Sequence, residues 1–216
     1  MVMNRSTMQK SGVSLLLAIG ALACNSVLGF GEATVDPALT ATGDAATQSQ
    51  ALTCDSYCTT IMKNCTGAMA EYLNDEVCKA MCSHFELGRP GDAPEDSLGC
   101  RTYHALSAAE APRDHCKHAG PTGAGHCGAV PCTAFCALNA ALCTGTLQPY
   151  AGGELGCRRD CAKYTYLLGP DDQDLIEGGP TLNCRLWHLE SAFDPNNPQA
   201  KVHHCPHTGL VSTTCF

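Results

Sequence analysis

Wound at 100° per residue, Cys54, Cys58 and Cys65 project within about 40° of one another, so a helix over this stretch carries all three on one face. Thr66 and Gly67 follow, and glycine there suits the left-handed position that closes a helix. A second helical pattern starts near Asn74, with Asp75 and Glu76 where a helix N-terminus favours carboxylates, and runs to Gly88. A third opens behind Ser97, a good N-cap, continues through "LGCRTYHAL", and is ended by Pro112. The succession then returns: Cys132, Cys136 and Cys143 before Thr144-Gly145, a second helix ending at Gly169, and a third running from Thr181 to Pro195.

The return is a tandem duplication. Cysteines at 54, 58, 65, 78 and 82 are spaced C-x3-C-x6-C-x12-C-x3-C, and those at 132, 136, 143, 157 and 161 are spaced C-x3-C-x6-C-x13-C-x3-C. Cys100, Cys116 and Cys127 complete the first set; Cys184, Cys205 and Cys215 complete the second. The third helices share the pattern [ST]-L-x-C-R-x-[YW]-H, written "SLGCRTYH" and "TLNCRLWH". The predicted fold is therefore mainly α, two tandem disulfide-stapled repeats of about three short helices each with loops, spanning 51–128 and 129–216.

Composition adds the compartment. Seventeen cysteines in 216 residues, with an aromatic content of only 6%, read as a disulfide framework standing in for a large apolar core, and such a framework persists in an oxidising compartment. Arg5 and Lys10 precede the run "VSLLLAIGALA", too short to span a bilayer and suited to a signal peptide over residues 1–23. Ala21-Leu22-Ala23 fits a signal-peptidase site, and with Cys24 it also forms an imperfect lipobox. Sixteen cysteines after residue 50 can pair completely, which leaves Cys24 as the candidate for lipidation and the protein as an envelope lipoprotein or a secreted one. Residues 24–50 are small and polar, the composition of a flexible tether. Loss of Arg5 and Lys10 brings the formal charge from −8 to about −10, a poor match to nucleic acid or an anionic membrane surface. Membrane contact is expected through a lipid anchor only. No feature points to an oligomer.

Two antiparallel helices that each carry cysteines four residues apart can be laced by nested bridges, Cys54 to Cys82 and Cys58 to Cys78. In this the first two helices of each copy resemble the α-hairpinin scaffold over about thirty residues. Over most of 51–216 the segments "CRTYH" and "HCKHAGPTGAGHCG" resemble uncharacterised cysteine-rich secreted proteins and lipoproteins of myxobacteria and their relatives. The second copy departs, reading "CRLWH" and "HCPHTGLVSTTC" without the glycine-rich loop. The resemblance implies an envelope location and brings no activity with it.

Chemistry is sought among the histidines. His104, His115 and His118 match His188, His204 and His207, while the surrounding helices have diverged freely, as in "TTIMKN" against "ALNAAL". Each trio is a candidate metal site, the loop "DHCKH" being fixed by Cys116, and three neutral imidazoles suit zinc or copper with a fourth position open. The alternative is that the rings pack against disulfides and satisfy backbone groups. His84, His126 and His203 have no matching partner. Arg101 and Arg185 are expected to form ion pairs on the helix surface. The acidic stretch with Asp171, Asp172, Asp174 and Glu177 lacks EF-hand order, as does its analogue with Asp92, Glu95 and Asp96, and reads as a solvated loop. Asn64-Cys65-Thr66 matches a glycosylation sequon. No G-x-S-x-G, H-E-x-x-H or C-x-x-C-H is present, so hydrolase, zincin and c-type haem readings lack their chemistry. The expected function is that of a non-enzymatic binding or interaction protein of the envelope or exterior, with an unidentified protein or envelope component as partner and a transition metal as candidate ligand. The alternative is a metal-dependent enzyme using an open three-histidine site.

Overall fold

A computed structural model of the chain describes residues 52–91, 94–169 and 175–216. The signal peptide, Cys24 and the tether expected over 1–50 lie outside the described residues, as do Asp92, Asp171, Asp172 and Asp174. Among the described residues the structure is helical, its only β pairing being two isolated bridges, Glu86 with Ser97 and Thr165 with Thr181.

In the first copy, α1 (Cys54–Asn64) begins where the Thr53 hydroxyl accepts from the Ser56 amide, and α2 (Asp75–Cys82) where the Asn74 side chain accepts from the Val77 amide at 2.8 Å. Helix α3 (Leu98–Ser107) is capped by Ser97, and α4 (Pro112–Ala119) follows. The second copy repeats this as α5 (Pro131–Leu142), α6 (Gly153–Cys161), α7 (Leu182–Ala192, capped by Thr181) and the short α8 (Ala200–His204), which runs into a 3-10 turn at Cys205–Thr208.

Two departures from the sequence reading have identifiable causes. The second helix of each copy stops at its last cysteine, Cys82 or Cys161, short of Gly88 and Gly169. Beyond it the chain is extended, so that the Glu86 carbonyl accepts from the Leu98 amide and the Thr165 carbonyl from the Leu182 amide. Each copy also adds a fourth helix. Helix α3 stops at Ser107, well before Pro112, whose fixed φ and missing N–H suit the first position of a helix and which opens α4.

Eight disulfides close the unit, and the two sets are topologically identical. Cys54–Cys82, Cys58–Cys78, Cys65–Cys116 and Cys100–Cys127 lace the first copy. Cys132–Cys161, Cys136–Cys157, Cys143–Cys205 and Cys184–Cys215 lace the second. The bridges are themselves much of the core, buried with Tyr57, Ile61, Val77 and Met81 in one copy and with Phe135, Leu182, Leu186 and Leu189 in the other.

The arginine of the shared pattern is where surface expectation fails. Arg101 is completely buried: it donates to the carbonyls of Ser97, Gly120 and Pro121 at 3.0–3.2 Å and to Asp96 at 2.7 Å, and its guanidinium lies 4.2 Å over the Phe85 ring. Arg185 repeats the arrangement, donating to the Thr181 and Cys215 carbonyls and lying 3.7 Å over Tyr164. Cysteine and arginine, neighbours on one helical turn, thus hold the closing loop of each copy twice, once covalently and once through carbonyl oxygens. A planar five-donor group is what makes several simultaneous carbonyl contacts feasible.

The copies also meet. Glu190 on α7 is fully buried and accepts from the Leu73 amide of the first copy at 3.1 Å, Lys117 Nζ donates to the Gly169 carbonyl at 2.6 Å, and the Thr122 and Tyr166 hydroxyls are 2.6 Å apart. These polar contacts join surfaces that the disulfides leave unlinked.

Candidate metal centre

The position of each imidazole follows from the staples. His104 lies one helical turn after Cys100, so the Cys100–Cys127 bridge aims it at the closing loop; it is 2% exposed. Helix α4 is tied to α1 by Cys65–Cys116, which sets His115 and His118, one residue before and two after Cys116, on the same side. His115 Nδ1 lies 2.8 Å from His104 Nδ1, the distance of a direct N–H···N hydrogen bond in which one ring carries the proton.

The first copy brings a fourth histidine to this group. His126, which has no counterpart in the second copy, sits with its ring centre 4.4 Å from that of His104 and 4.6 Å from that of His118, and His104 and His118 are 5.0 Å apart. Ring nitrogens of His104, His118 and His126 all lie within 4.8 Å of one another. Two imidazoles on one tetrahedral ion, with bonds of about 2.0–2.1 Å, place their ring centres about 5 Å apart, so the spacing suits a shared ion. Of the trio expected from sequence, His104 and His118 are in the convergent set, and His115 touches it through the other nitrogen of His104. With Nδ1 paired to His115, Nε2 is the nitrogen of His104 that a metal could use, the arrangement by which metal-bound histidines are commonly oriented.

His126 was legible in principle. It precedes Cys127, whose bridge ends one turn before His104, so the pairing alone makes the two imidazoles neighbours. The loop that turns it inward has left-handed residues in succession, Gly123, Ala124 and Gly125, with φ of 63°, 47° and 84°. Ala124 is the one non-glycine with positive φ among the described residues, a conformation costing roughly 1–2 kcal/mol. In the second copy this loop is absent and Thr214 precedes Cys215.

The second cluster is correspondingly different. His188 Nδ1 and His204 Nδ1 are 3.0 Å apart, repeating the first pair, and the His207 ring centre is 4.7 Å from that of His188. Among the described residues, the only group of three potential ligands found here is Cys184, His188 and Cys215. Its sulfurs are bonded to each other, as are those of Cys100 and Cys127 beside His104, so neither set offers thiolates. His188 Nε2 and His207 Nδ1 are buried without a hydrogen bond of acceptable geometry, at a cost of about 1–3 kcal/mol each.

Burial, and after it the neighbouring His207 and His204, push the His188 pKa down to about 4; the nearby Glu177 carbonyl opposes this weakly. His204 is lowered as well, first by burial and then by His203 and His207. The sign follows directly. With the folded pKa below the ordinary value near 6.5, the unfolded chain binds the extra proton first, so the contribution of His188 is whole above pH 6.5 and is lost as pH falls towards 4. In the presence of chelator, wild type is expected to lose on the order of 2–3 kcal/mol more than His188→Gln between pH 7 and pH 4. Denaturant melts at the two pH values measure this, and coincident pH dependence in the two proteins would refute a buried neutral His188.

The fold and its imidazoles define a class, a helical disulfide-stapled protein with histidine clusters held by its bridges. Residues 24–130, which include the whole first copy and its four-histidine cluster, match the model of the BfoA family C-terminal domain. Similarity extends to the aurasperone B biosynthesis cluster protein A of Aspergillus niger, 32% identical over 87 residues, which is 40% of this chain and 28% of that protein. The bifonsecin B biosynthesis cluster protein A of Aspergillus brasiliensis is 31% identical over 87 residues, 40% of this chain and 29% of that protein. The chain spans less than a third of the length of these curated relatives. No solved structure matches it.

Proposed function

We propose that this is a non-enzymatic, extracytoplasmic protein that binds zinc or copper in its first copy through His104, His118 and His126, with His115 as the group that orients His104. The observation that carries the reading is the convergence of three ring nitrogens within 4.8 Å while a fourth imidazole takes the remaining nitrogen of His104. Eight disulfides are the chemistry of an oxidising compartment, and no helix among the described residues is long and apolar enough to cross a membrane. Export through residues 1–23 and lipid attachment at Cys24 are the finer part of the proposal, with an envelope or secreted protein as partner. A metal-dependent enzyme using the same open fourth position is the alternative, favoured by one observation: the similar fungal proteins are named for biosynthesis clusters.

Untagged protein folded in an oxidising compartment is expected to take up one zinc ion in the first copy, by calorimetry and elemental analysis. His115→Ala should weaken that uptake about 10–100-fold, as loss of an outer-shell partner does, and the double variant His118→Ala/His126→Ala should abolish it. Undiminished uptake in the double variant, or none in wild type, removes the proposal and leaves the four rings as packing residues.

A further inference from the structure

The second copy kept His188, His204 and His207 but lost the loop that supplies a fourth imidazole, and what remains is two buried nitrogens without a well-formed hydrogen bond. We propose that His188 Nε2 and His207 Nδ1 form a second metal site, chemically distinct from the first, whose occupant is a soft monovalent ion, the cuprous ion. This site stands independently of the one in the first copy.

The argument begins with the orphan atoms. His188 is 4% exposed, its Nε2 and His207 Nδ1 are both buried without a well-formed hydrogen bond, the Glu177 carbonyl beside His188 being poorly aligned, and the two rings are adjacent, 4.7 Å between centres. When His188 Nδ1 donates to His204 Nδ1, 3.0 Å away, the Nε2 lone pair of His188 is left free, so His204 is a positioning residue and not a ligand. Ligand number then selects the ion. Zinc asks for four ligands, and no third nitrogen, thiolate or carboxylate among the described residues converges on this pair. A cuprous ion is satisfied by three, here the two imidazoles and one exogenous ligand; a two-coordinate ion prefers a linear arrangement with ring centres about 6 Å apart, more than the 4.7 Å found. Charge selects in the same direction, because the cost of burying an ion grows with the square of its charge and a monovalent ion meets about a quarter of the penalty of a divalent one. Finally, Trp187 flanks the cluster, its ring centre 4.8 Å from that of His188 and 5.7 Å from that of His204. The first copy has Tyr103 at this position, and indole is the better aromatic neighbour for a cation.

Trp187 is also the only tryptophan of the chain, so its fluorescence reports on this site alone. The full chain, its first site filled beforehand with one equivalent of zinc and titrated anaerobically with cuprous ion supplied as its acetonitrile complex, should show quenching that saturates at one equivalent. His188→Gln and His207→Ala should each raise the apparent Kd at least about tenfold, and His204→Ala should do so by about 10–100-fold. His84→Ala, outside both clusters, should leave the quench unchanged, and Trp187→Phe should lose the signal while equilibrium dialysis still shows uptake. His207 is half-buried on a short turn and carries the decision if His188→Gln does not fold. The proposal is overturned by no quench in wild type, by a quench of unchanged affinity in His207→Ala, or by zinc quenching at the same concentrations as the cuprous ion. Zinc uptake in the first copy is read separately by calorimetry, so either site can fail alone.

Discussion

Arg101→Met is expected to destabilise the protein by about 2–4 kcal/mol, among the largest effects of any single substitution. Methionine fills a similar volume and keeps the contact with Phe85, so lost packing is not the cause. The cost lies in what is stranded: the Pro121 carbonyl loses its donor and Asp96 its partner, while the Ser97 and Gly120 carbonyls keep only the backbone amides of Arg101 and Gly123. A buried acceptor left unpaired costs about 1–3 kcal/mol, and the removed guanidinium recovers its own desolvation penalty, which keeps the net below the simple sum. Arg185→Met should cost less, about 1–2 kcal/mol, because only the Cys215 carbonyl loses its donor outright, Thr181 keeping the Arg185 amide, and the buried Nε of Arg185 already lacks a partner. Chemical denaturation of both variants tests the order as well as the size. An Arg101→Met protein within about 1 kcal/mol of wild type would mean that water satisfies those carbonyls and that the arginine is not what holds the loop.

Removal of the Cys65–Cys116 bridge, as the double variant Cys65→Ala/Cys116→Ala, should cost about 4 kcal/mol and weaken the first metal site together with the fold. The bridge joins residues 51 apart, whereas Cys58–Cys78 joins residues 20 apart, so loop entropy alone makes the first worth about 1 kcal/mol more. In a chain of this size 4 kcal/mol corresponds to a fall in Tm of roughly 10–15 °C. The functional consequence separates the two bridges more sharply. Cys116 lies between His115 and His118, so without its tether to α1 the helix α4 no longer fixes either ring, while loss of Cys58–Cys78 leaves α4 tied. Zinc affinity should therefore drop in the Cys65/Cys116 variant and stay near wild type in the Cys58/Cys78 variant. Equal affinities in the two would show that the imidazoles are positioned by packing and not by the bridge.

The sequence by itself determined a helical, disulfide-stapled protein in which one unit is written twice. That followed because cysteine spacing is a local quantity: residues four apart share a helix face whatever the rest of the chain does, and the spacings over Cys54–Cys82 and Cys132–Cys161 agree to within one residue. It also identified Ser97 and Thr181 as caps, since capping reads only three residues ahead. Other features needed the tertiary structure. Arg101 looked like a surface residue because nothing local marks the carbonyls of Gly120 and Pro121 as its partners; they reach it only after Cys100–Cys127 brings the loop across α3. Pro112 reads as a stop in one dimension, and only the docking of α4 against α1 and α3 shows it to be a start. The histidines divide in the same way. Repetition singled out six of them, but repetition could not find His126, which exists in one copy and is carried to His104 by a bridge and three left-handed residues. Nor could it show that His115 would stop at the far nitrogen of His104, or that the second cluster would be left with two unpaired nitrogens, because direction in space belongs to the folded chain.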